Sequence, residues 1–399
     1  MKGDSGNGLV TAEARARELH RRRSELASDL RERGAGALIA TREGVVTYVT
    51  GYTTRTWSNF SRPVVAVLFA DESLALICAE TEADAVRMRV PEAMVHPYVM
   101  LSPIDERLPL PDGRVQFAPE AAECLRQLIA ELPDEVVAVD GLRAAFPPVA
   151  QITSLVPGLE QGAIDASRFV WDRRLRKSVW EIQQLKAASA VLERAFEAFE
   201  PQLRPGQSER EIHGMLAAAC FEQGADELGY TNVVAGTNRG LFGAPTDRAW
   251  RRDEVLYVDG GVVLDGYWAD FCRMYSAGRS SASQGDGYEL ARRSLDQALG
   301  SFRPGTTAAD LSRVIQEATD LSPGDVGFGR FGHGIGLYMP EPPSIHVLDE
   351  TPLTDGMVIC IEPAVLHEGS NYVVEEEHVV RDGQLVRISP AAPESIVEV

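Results

Sequence analysis

Two aspartates in an otherwise apolar stretch, Asp259 and Asp270, are the first candidates for chemistry in this sequence. They lie 270 − 259 = 11 residues apart, on either side of Asp265-Gly266, a dipeptide typical of a tight hairpin turn. Such a hairpin can bring the two carboxylates together, where they would repel each other and would be costly to bury unpaired. A divalent cation removes both costs, so the stretch indicates either a metal site or two exposed strand ends.

Three later segments carry further side chains that can bind a hard metal ion. His333 lies between two glycines in G-H-G-I-G-L, and Glu362 ends the apolar segment M-V-I-C-I-E before a proline. In Y-V-V-E-E-E-H-V-V, strand alternation places Glu376 opposite Glu375 and Glu377, and we expect Glu376 to point inward and its neighbours outward. One histidine and four carboxylates suit two ions such as Mn, Fe(II) or Co better than a cysteine-rich zinc site. Singly, each side chain more often has a structural role.

The elements that would position these residues form two regions. Strand and helix patterns alternate over residues 12–160, including apolar runs at 35–40 and 44–50, which predicts an N-terminal α/β domain. Beyond a boundary between 157 and 167, helical patterns dominate, and Ser178 with Glu181 predicts a capping box at the start of a long helix. The last quarter is strand-rich. The predicted helices there are 179–199, 209–223, 288–302 and 308–321, and the predicted late strands are 337–339, 357–361, 372–380 and 384–387.

Composition excludes several classes of partner. The 59 acidic and 39 basic residues give a formal net charge of −20, which disfavours nucleic acid and anionic membranes. No apolar run has the length of a membrane span, and the N-terminal M-K-G-D-S-G-N-G lacks the apolar core of a secretory signal. The five scattered cysteines fit a reducing compartment. We therefore expect a cytoplasmic protein.

The order and spacing of the four acidic and histidine-bearing segments resemble the family of creatinase, aminopeptidase P, prolidase and methionine aminopeptidase, the pita-bread metallopeptidases. The matching motifs are D-G-G with D-F-C-R, G-H-G-I-G-L with E-P-P, G-M-V-I-C-I-E-P and V-E-E-E-H-V-V. The segment R-K-S-V-W-E-I-Q-Q-L-K-A-A resembles the helix that leads into the family's catalytic domain. The resemblance implies an α+β fold, with a creatinase-like N-terminal domain over residues 12–160 and a pita-bread catalytic domain over 165–399.

The same resemblance implies a dinuclear metal-dependent hydrolase that cleaves a C–N bond, as an Xaa-Pro dipeptidase does, through a metal-bridging water. Asp259 would hold one ion, His333 and Glu362 would hold the other, and Asp270 and Glu376 would bridge the pair. Glu362 would also be the catalytic proton shuttle. The ions would be Mn, Fe or Co, with Zn as a further candidate, and the substrate a dipeptide or another small molecule.

Two departures from the family pattern leave the reaction open. Gly243 and Pro340 stand where the family's peptidases carry the histidines that handle the substrate. His346 and His378 are nearby in sequence and are candidates to replace them. A small-molecule amidase or lyase on the same scaffold is therefore the alternative function, and a non-enzymatic binding protein is a third.

Four further residues are candidates to contact the substrate. Arg55 and Trp57 lie in a polar and aromatic loop, which the resemblance suggests reaches over the site of the neighbouring subunit in a homodimer. Tyr230 and Tyr338 are expected to line the pocket.

Overall fold

The computed structural model describes residues 12–54, 63–99, 119–132, 136–142, 156, 159–236, 243–319 and 329–399. The chain splits into two compact units, Met1–Arg173 and Arg174–Val399. This split falls within the helix Ser167–Leu175, later than the boundary predicted between the domains 12–160 and 165–399. Among the described residues, no helix combines the length and the apolar character that crossing a bilayer requires.

The first unit is a mixed sheet with helices, as the alternation of patterns predicts. Its helices are α1 (Ala12–Glu32), α2 (Glu43–Thr50), α3 (Ala83–Arg89), α4 (Pro119–Ala130) and α5 (Leu159–Gly162), and α6 (Ser167–Leu175) crosses the split. Its strands are β1 (Ala35–Ala40), β2 (Val65–Phe69), β3 (Leu74–Ala79), β4 (Met94–Tyr98), β5 (Val136–Val139) and β6 (Ile164–Asp165). They form one sheet in the order β4-β3-β2-β1-β5-β6.

One apolar run in this unit is not a strand. The run 44–50 forms most of helix α2, which ends at Gly51 with a left-handed backbone φ of 70°. All of its residues from Gly44 to Thr50 are buried. A segment that is buried on every side has no polar face to reveal its period, so the sequence pattern alone could not separate helix from strand.

The second unit contains the candidate site. Its helices are α7 (Val179–Phe199), α8 (Glu209–Glu222), α9 (Ala282–Ser301) and α10 (Ala308–Thr319). Its strands are β7 (Glu227–Ala235), β8 (Val255–Leu264), β9 (Tyr267–Ser276), β10 (Gly332–Gly334), β11 (Glu341–Ser344), β12 (Val358–Ile361), β13 (Ala364–His367), β14 (Ser370–Val373), β15 (Glu376–Arg381), β16 (Gln384–Arg387) and β17 (Val397–Glu398). These elements give the predicted α+β class.

Two larger sheets organise this unit. One has the strand order β17-β9-β8-β7, and the other has the order β11-β10-β12-β15-β16. Helices α7 and α8 cover the first sheet, where Leu192 and Leu216 share a core with Phe271. Leu295 of α9 and Ile315 of α10 share a second core with Ile359 of β12. Each sheet therefore packs against a buried apolar core, which holds in place the strands that carry the site.

Local signals in the sequence set two of these elements. Ser178 accepts a hydrogen bond from the backbone N–H of Glu181, and the Glu181 side chain accepts one from Ser178, so the predicted capping box of α7 is confirmed. Asp265 and Gly266 both have positive φ, 50° and 82°, which fits the tight turn predicted between β8 and β9.

The strand-rich end differs from the prediction in two places. The predicted strand 337–339 is not a strand, and β10 and β11 flank that segment instead. The predicted strand 372–380 is divided into β14 and β15, with Val374 and Glu375 outside both.

Candidate metal centre

The β8–β9 hairpin places Asp259 and Asp270 on one face of its sheet. Asp259 is paired with Cys272, and Asp270 is paired with Gly261. Side chains two residues apart in a strand share a face, so Asp270 lies on the same face as Cys272 and diagonally across from Asp259. The hairpin thus brings the two carboxylates together, as the spacing and turn predict.

Strand β7 supplies two side chains that hold these carboxylates. The hydroxyl of Tyr230 donates to Oδ1 of Asp259 at 3.1 Å and also contacts Oδ1 of Asp270. Asn232, two residues along the same strand, donates from Nδ2 to Oδ2 of Asp259 at 3.3 Å. Asn232 was not predicted, although its spacing of two residues from Tyr230 in a strand places both side chains on one face and could have identified it.

His333 lies in β10, which is paired with β11 on one side and β12 on the other. A β-carbon at Gly332 would lie 2.2 Å from the carbonyl oxygen of Cys360, and one at Gly334 would lie 2.2 Å from that of Pro342. Only glycine fits at both positions, so the flanking glycines allow the strands to close around the histidine. Nδ1 of His333 lies 3.0 Å from the carbonyl oxygen of Gly334, to which it can donate, and Nε2 faces the carboxylates.

Strand β12 brings Glu362 to the same place. Nε2 of His333 lies 3.3 Å from Oδ2 of Asp270 and 3.7 Å from Oε1 of Glu362. Cys360 is paired with His333 across β10 and β12 and therefore lies on the same face of the sheet. Ligand atoms of Asp270, His333, Cys360 and Glu375 all lie within 4.8 Å of one another.

The last candidate ligand is Glu375, and the predicted inward orientation of Glu376 is wrong. Glu376 is bound by Arg292 at 3.1 Å and by the backbone N–H of Ala392 at 2.8 Å, away from the cluster. The predicted alternation holds, because Glu375 and Glu377 both face Asp270 and Glu376 faces the other way. The inner face was predicted wrongly, since all residues from 371 to 380 are buried and burial does not distinguish the face that carries the cluster.

Burial disfavours the charged forms of these acids. Each candidate ligand is less than a tenth exposed. Burial, with the charges of Asp270 and Glu362, raises the pKa of Asp259 to about 8. Burial and the charge of Asp270 raise the pKa of Glu362 to about 7, although His333 opposes this, and burial with several acids raises the pKa of Glu375 well above its ordinary value.

Glu377 supports the cluster from behind. It accepts a hydrogen bond from the backbone N–H of Asp270 at 2.8 Å and another from the hydroxyl of Ser189. Burial raises the pKa of Glu377 to about 8, against the effect of these bonds. The predicted outward orientation of Glu377 is therefore also wrong, because this side chain joins α7 to β9 inside the unit.

A cavity of about 510 Å³ opens onto the acidic cluster. Four candidate ligands, Asp259, Asp270, His333 and Glu362, line part of it. The rest of the described wall combines polar, aromatic and apolar side chains. Tyr230 was predicted to line it, whereas Asn232, Trp268, Arg330 and Met339 were not predicted.

Tyr338 and His346, two further predicted substrate residues, are not among the described residues that line this cavity. The guanidinium of Arg174 lies over the ring of Tyr338, and Met339 lines the cavity instead. His346 accepts a hydrogen bond from the backbone N–H of Leu348 in a turn beyond β11. Arg55 and Trp57 lie outside the described residues.

His346 and His378, the candidate replacements for the two missing histidines, are not among the described residues that line the cavity. His346 stabilises a turn, as described above, and His378 lies beside Glu376, with Nε2 3.4 Å from Oε2 of that side chain. Burial lowers the pKa of His378 to about 4. Both side chains therefore have structural surroundings, and the positions of Gly243 and Pro340 are not compensated by either.

Comparison with known proteins gives matches along most of the chain. The sequence profile of Metallopeptidase family M24 matches residues 183–386. The Xaa-Pro dipeptidase of Pyrococcus furiosus is 28% identical over 197 residues, covering 49% of this chain and 57% of the relative. The probable dipeptidase PepE of Mycobacterium tuberculosis is 28% identical over 258 residues, covering 63% of this chain and 66% of the relative. The alignments thus span less than two thirds of these relatives.

Solved structures match over nearly the whole length. The X-Pro aminopeptidase from Thermotoga maritima has a TM-score of 0.78 at 21% identity, covering 95% of this chain and 99% of the other. The dipeptidase PepE from Mycobacterium ulcerans has a TM-score of 0.75 at 22% identity, covering 96% and 98%. These likenesses confirm the predicted pita-bread fold.

Proposed function

Because the chain belongs to Metallopeptidase family M24, we propose that it is a metal-dependent hydrolase of a C–N bond in a peptide or small amide. Xaa-Pro dipeptides are the first substrates to test, since relatives carry that activity in their names. The observation that carries the proposal is the convergence of Asp259, Asp270, His333, Glu362 and Glu375 in one buried place beside a cavity.

The donor set fits a pair of divalent ions. Oε1 of Glu375 is buried and has no hydrogen-bond partner. Such an oxygen loses its bonds to water and gains nothing in return, unless a cation or another donor binds it. Four carboxylates and one imidazole are hard, oxygen-rich donors that suit Mn, Fe(II) or Co. We assign Asp259, Asp270, His333, Glu362 and Glu375 as the residues that would hold the ions.

When bound, such ions supply a nucleophilic water near neutral pH and stabilise a developing oxyanion. The residues of the chain do the rest. Tyr230 and Asn232 fix the carboxylate of Asp259, and Glu377 fixes the backbone of Asp270. Glu362, at the cavity wall, takes the proton of the attacking water and passes it to the leaving nitrogen. Trp268 and Met339 provide an apolar wall for the body of the substrate.

A second candidate function keeps the metal centre and changes the reaction. Gly243 and Pro340 replace the two histidines that the family's peptidases use on the substrate. A β-carbon at Gly243 would have no heavy atom within 4 Å, so no close packing accounts for a glycine there. A small-molecule amidase or lyase is the reaction class that this loss favours.

Metal analysis and a substrate panel separate these functions. The purified protein is loaded with Mn, freed of excess metal and measured by mass spectrometry, with Asp259→Asn as the matched control. We expect about two ions per chain in the wild type and fewer in the variant. Release of amino acids from Xaa-Pro dipeptides supports the peptidase, and turnover confined to non-peptide amides supports the alternative. A wild-type site that stays empty after loading with Mn, Fe and Co overturns both.

A further inference from the structure

The cavity beside the acidic cluster contains an arginine that the proposed hydrolysis leaves without a role. Arg330 lines this cavity together with Trp268 and Met339. Its Nε is buried and has no hydrogen-bond partner. Buried polar nitrogens in proteins are nearly always bonded, so an unbonded guanidinium nitrogen at a cavity wall indicates a missing acceptor.

Backbone pairing holds Arg330 at a fixed place relative to the cluster. The next residue, Phe331, donates its N–H to the carbonyl oxygen of Ile345 at 2.9 Å. The carbonyl oxygen of Phe331 accepts the N–H of Glu362 at 3.0 Å. The charge of Arg330 acts on both Glu362 and His333. A group bound by Arg330 would therefore lie within one small ligand's length of the candidate metal ligands.

Arg330 also differs from other arginines of this unit in its pairing. Arg174 is paired with Glu341, and Arg292 is paired with Glu376. Within the described ranges, no carboxylate forms an ion pair with Arg330. Among the cavity-lining side chains that the structure describes, Arg330 carries the only permanent positive charge. Two bound cations would largely neutralise the acids around them and leave this charge available to an anion.

We propose that Arg330 binds a free carboxylate of the substrate, and that the protein acts on small amides carrying such a group, as a dipeptide or an N-acyl amino acid does. This inference deepens the proposed hydrolysis and rests on it. The planar guanidinium can form two parallel hydrogen bonds with a carboxylate, which fixes its orientation. Trp268 and Met339 then face the apolar body of the ligand, between the carboxylate and the scissile bond.

The first test compares substrates that differ only in this charge. Rates are measured for Ala-Pro and Ala-Ala and for their C-terminal amides, with wild type, Arg330→Met and Arg330→Lys. We expect the wild type to prefer the acids by roughly 10- to 100-fold in kcat/KM, a factor typical of a charged hydrogen bond. Arg330→Met should lose most of that preference, measured as the ratio of kcat/KM for acid and amide within each protein, and Arg330→Lys should keep part of it.

The second test does not depend on turnover. L-proline and pyrrolidine contain no amide bond and differ by one carboxylate, so their binding to Mn-loaded protein is measured by calorimetry. Arg381→Met, at an exposed arginine at the end of β15, is the matched control. We expect the wild type and Arg381→Met to bind proline at least about 10-fold more tightly than pyrrolidine, and Arg330→Met to lose most of that difference.

The outcomes distinguish this inference from the proposed function. If the wild type hydrolyses no amide but discriminates proline from pyrrolidine through Arg330, the hydrolysis is wrong and the carboxylate site stands. If Arg330→Met discriminates as the wild type does, or the wild type binds neither ligand or both equally, the carboxylate site is overturned whatever the activity. Thermal melting of each variant verifies that it is folded.

Discussion

Gly261 keeps open the space that the ring of Tyr230 occupies. A β-carbon at Gly261 would lie 2.8 Å from Cε1 of Tyr230, closer than real β-carbons approach any atom. Tyr230 in turn holds Asp259 and Asp270 through its hydroxyl. The second glycine of the D-G-G motif is thus explained by the packing of a side chain from the neighbouring strand.

The first prediction concerns Gly261→Ala. The added methyl should push the Tyr230 ring away and release the hydroxyl from both aspartates. Side chains that orient metal ligands typically contribute about 10- to 100-fold in metal affinity. We expect Mn affinity to fall by that factor, measured by competition with a chelator, and Tyr230→Phe to act in the same direction.

Gly260→Ala is the matched control for that experiment. A β-carbon at Gly260 would approach Leu192 and Leu216 at 3.3 and 3.4 Å, in the apolar core on the other face of the hairpin. Its effect should fall on the melting temperature and leave Mn affinity unchanged. Equal Mn affinities for Gly261→Ala and the wild type would contradict the assigned role of Tyr230.

The second prediction separates two adjacent glutamates. Glu375→Gln should lower Mn affinity by at least about 100-fold, since it removes a candidate ligand and not merely its support. Glu376→Gln should keep Mn affinity and lower the free energy of unfolding by about 1–3 kcal/mol, because Glu376 is fully buried and bound by Arg292. Chelator competition and urea unfolding measure the two effects. The reverse pattern would restore the original sequence prediction.

Glu375 and Glu376 also show which parts of the site could be predicted from the sequence and which could not. The hairpin of Asp259 and Asp270 depends on a local turn and an apolar alternation, both visible in the chain. His333 and Glu362 could be selected by their unusual flanking residues and by the family resemblance. The orientation of Glu375 could not be predicted, because residues 371–380 are all buried and no local pattern marks the face that meets the aspartates.

Other parts of the site depend on contacts between distant segments. Arg330 comes to the cavity wall because the backbone of Phe331 beside it pairs with the residues that follow β12 and β11. Trp268 and Met339 face the same cavity from unrelated segments. Register and cavity lining of this kind follow from tertiary packing, so composition, spacing and periodicity do not reveal them.

The third prediction concerns stability with and without metal. A ligand that binds only the folded state stabilises it by about 2.7 kcal/mol at 100 times its dissociation constant. We expect Mn at that level to raise the melting temperature of the wild type, and EDTA to reverse the rise. The Glu375→Gln variant should show a much smaller rise at the same Mn concentration. Scanning calorimetry measures the melting temperature of each protein with Mn, with Mg as the comparison ion and with EDTA. Identical rises in both proteins would place Mn elsewhere.

The last prediction concerns Glu341, which anchors the segment that follows His333. Its carboxylate accepts hydrogen bonds from Arg174 and from Nζ of Lys177, the latter at 3.0 Å, and all three side chains are buried. Glu341→Gln removes the carboxylate charge that faces two buried cations. We expect the free energy of unfolding at pH 7 to fall by about 3–5 kcal/mol in urea titrations.

The pH dependence of that loss has a definite sign. Burial alone would raise the pKa of Glu341, but the charges of Lys177 and Arg174 outweigh it and lower the pKa below its ordinary value. A lowered pKa in the folded state means that this stabilisation is present above the pKa of the unfolded state and is lost as the pH falls through that of the folded state. The wild type should therefore lose stability more steeply than Glu341→Gln on acidification below about pH 4.5, and the two unfolding curves should converge there. Parallel curves from pH 7 to pH 3 would contradict a charged Glu341 in the folded protein.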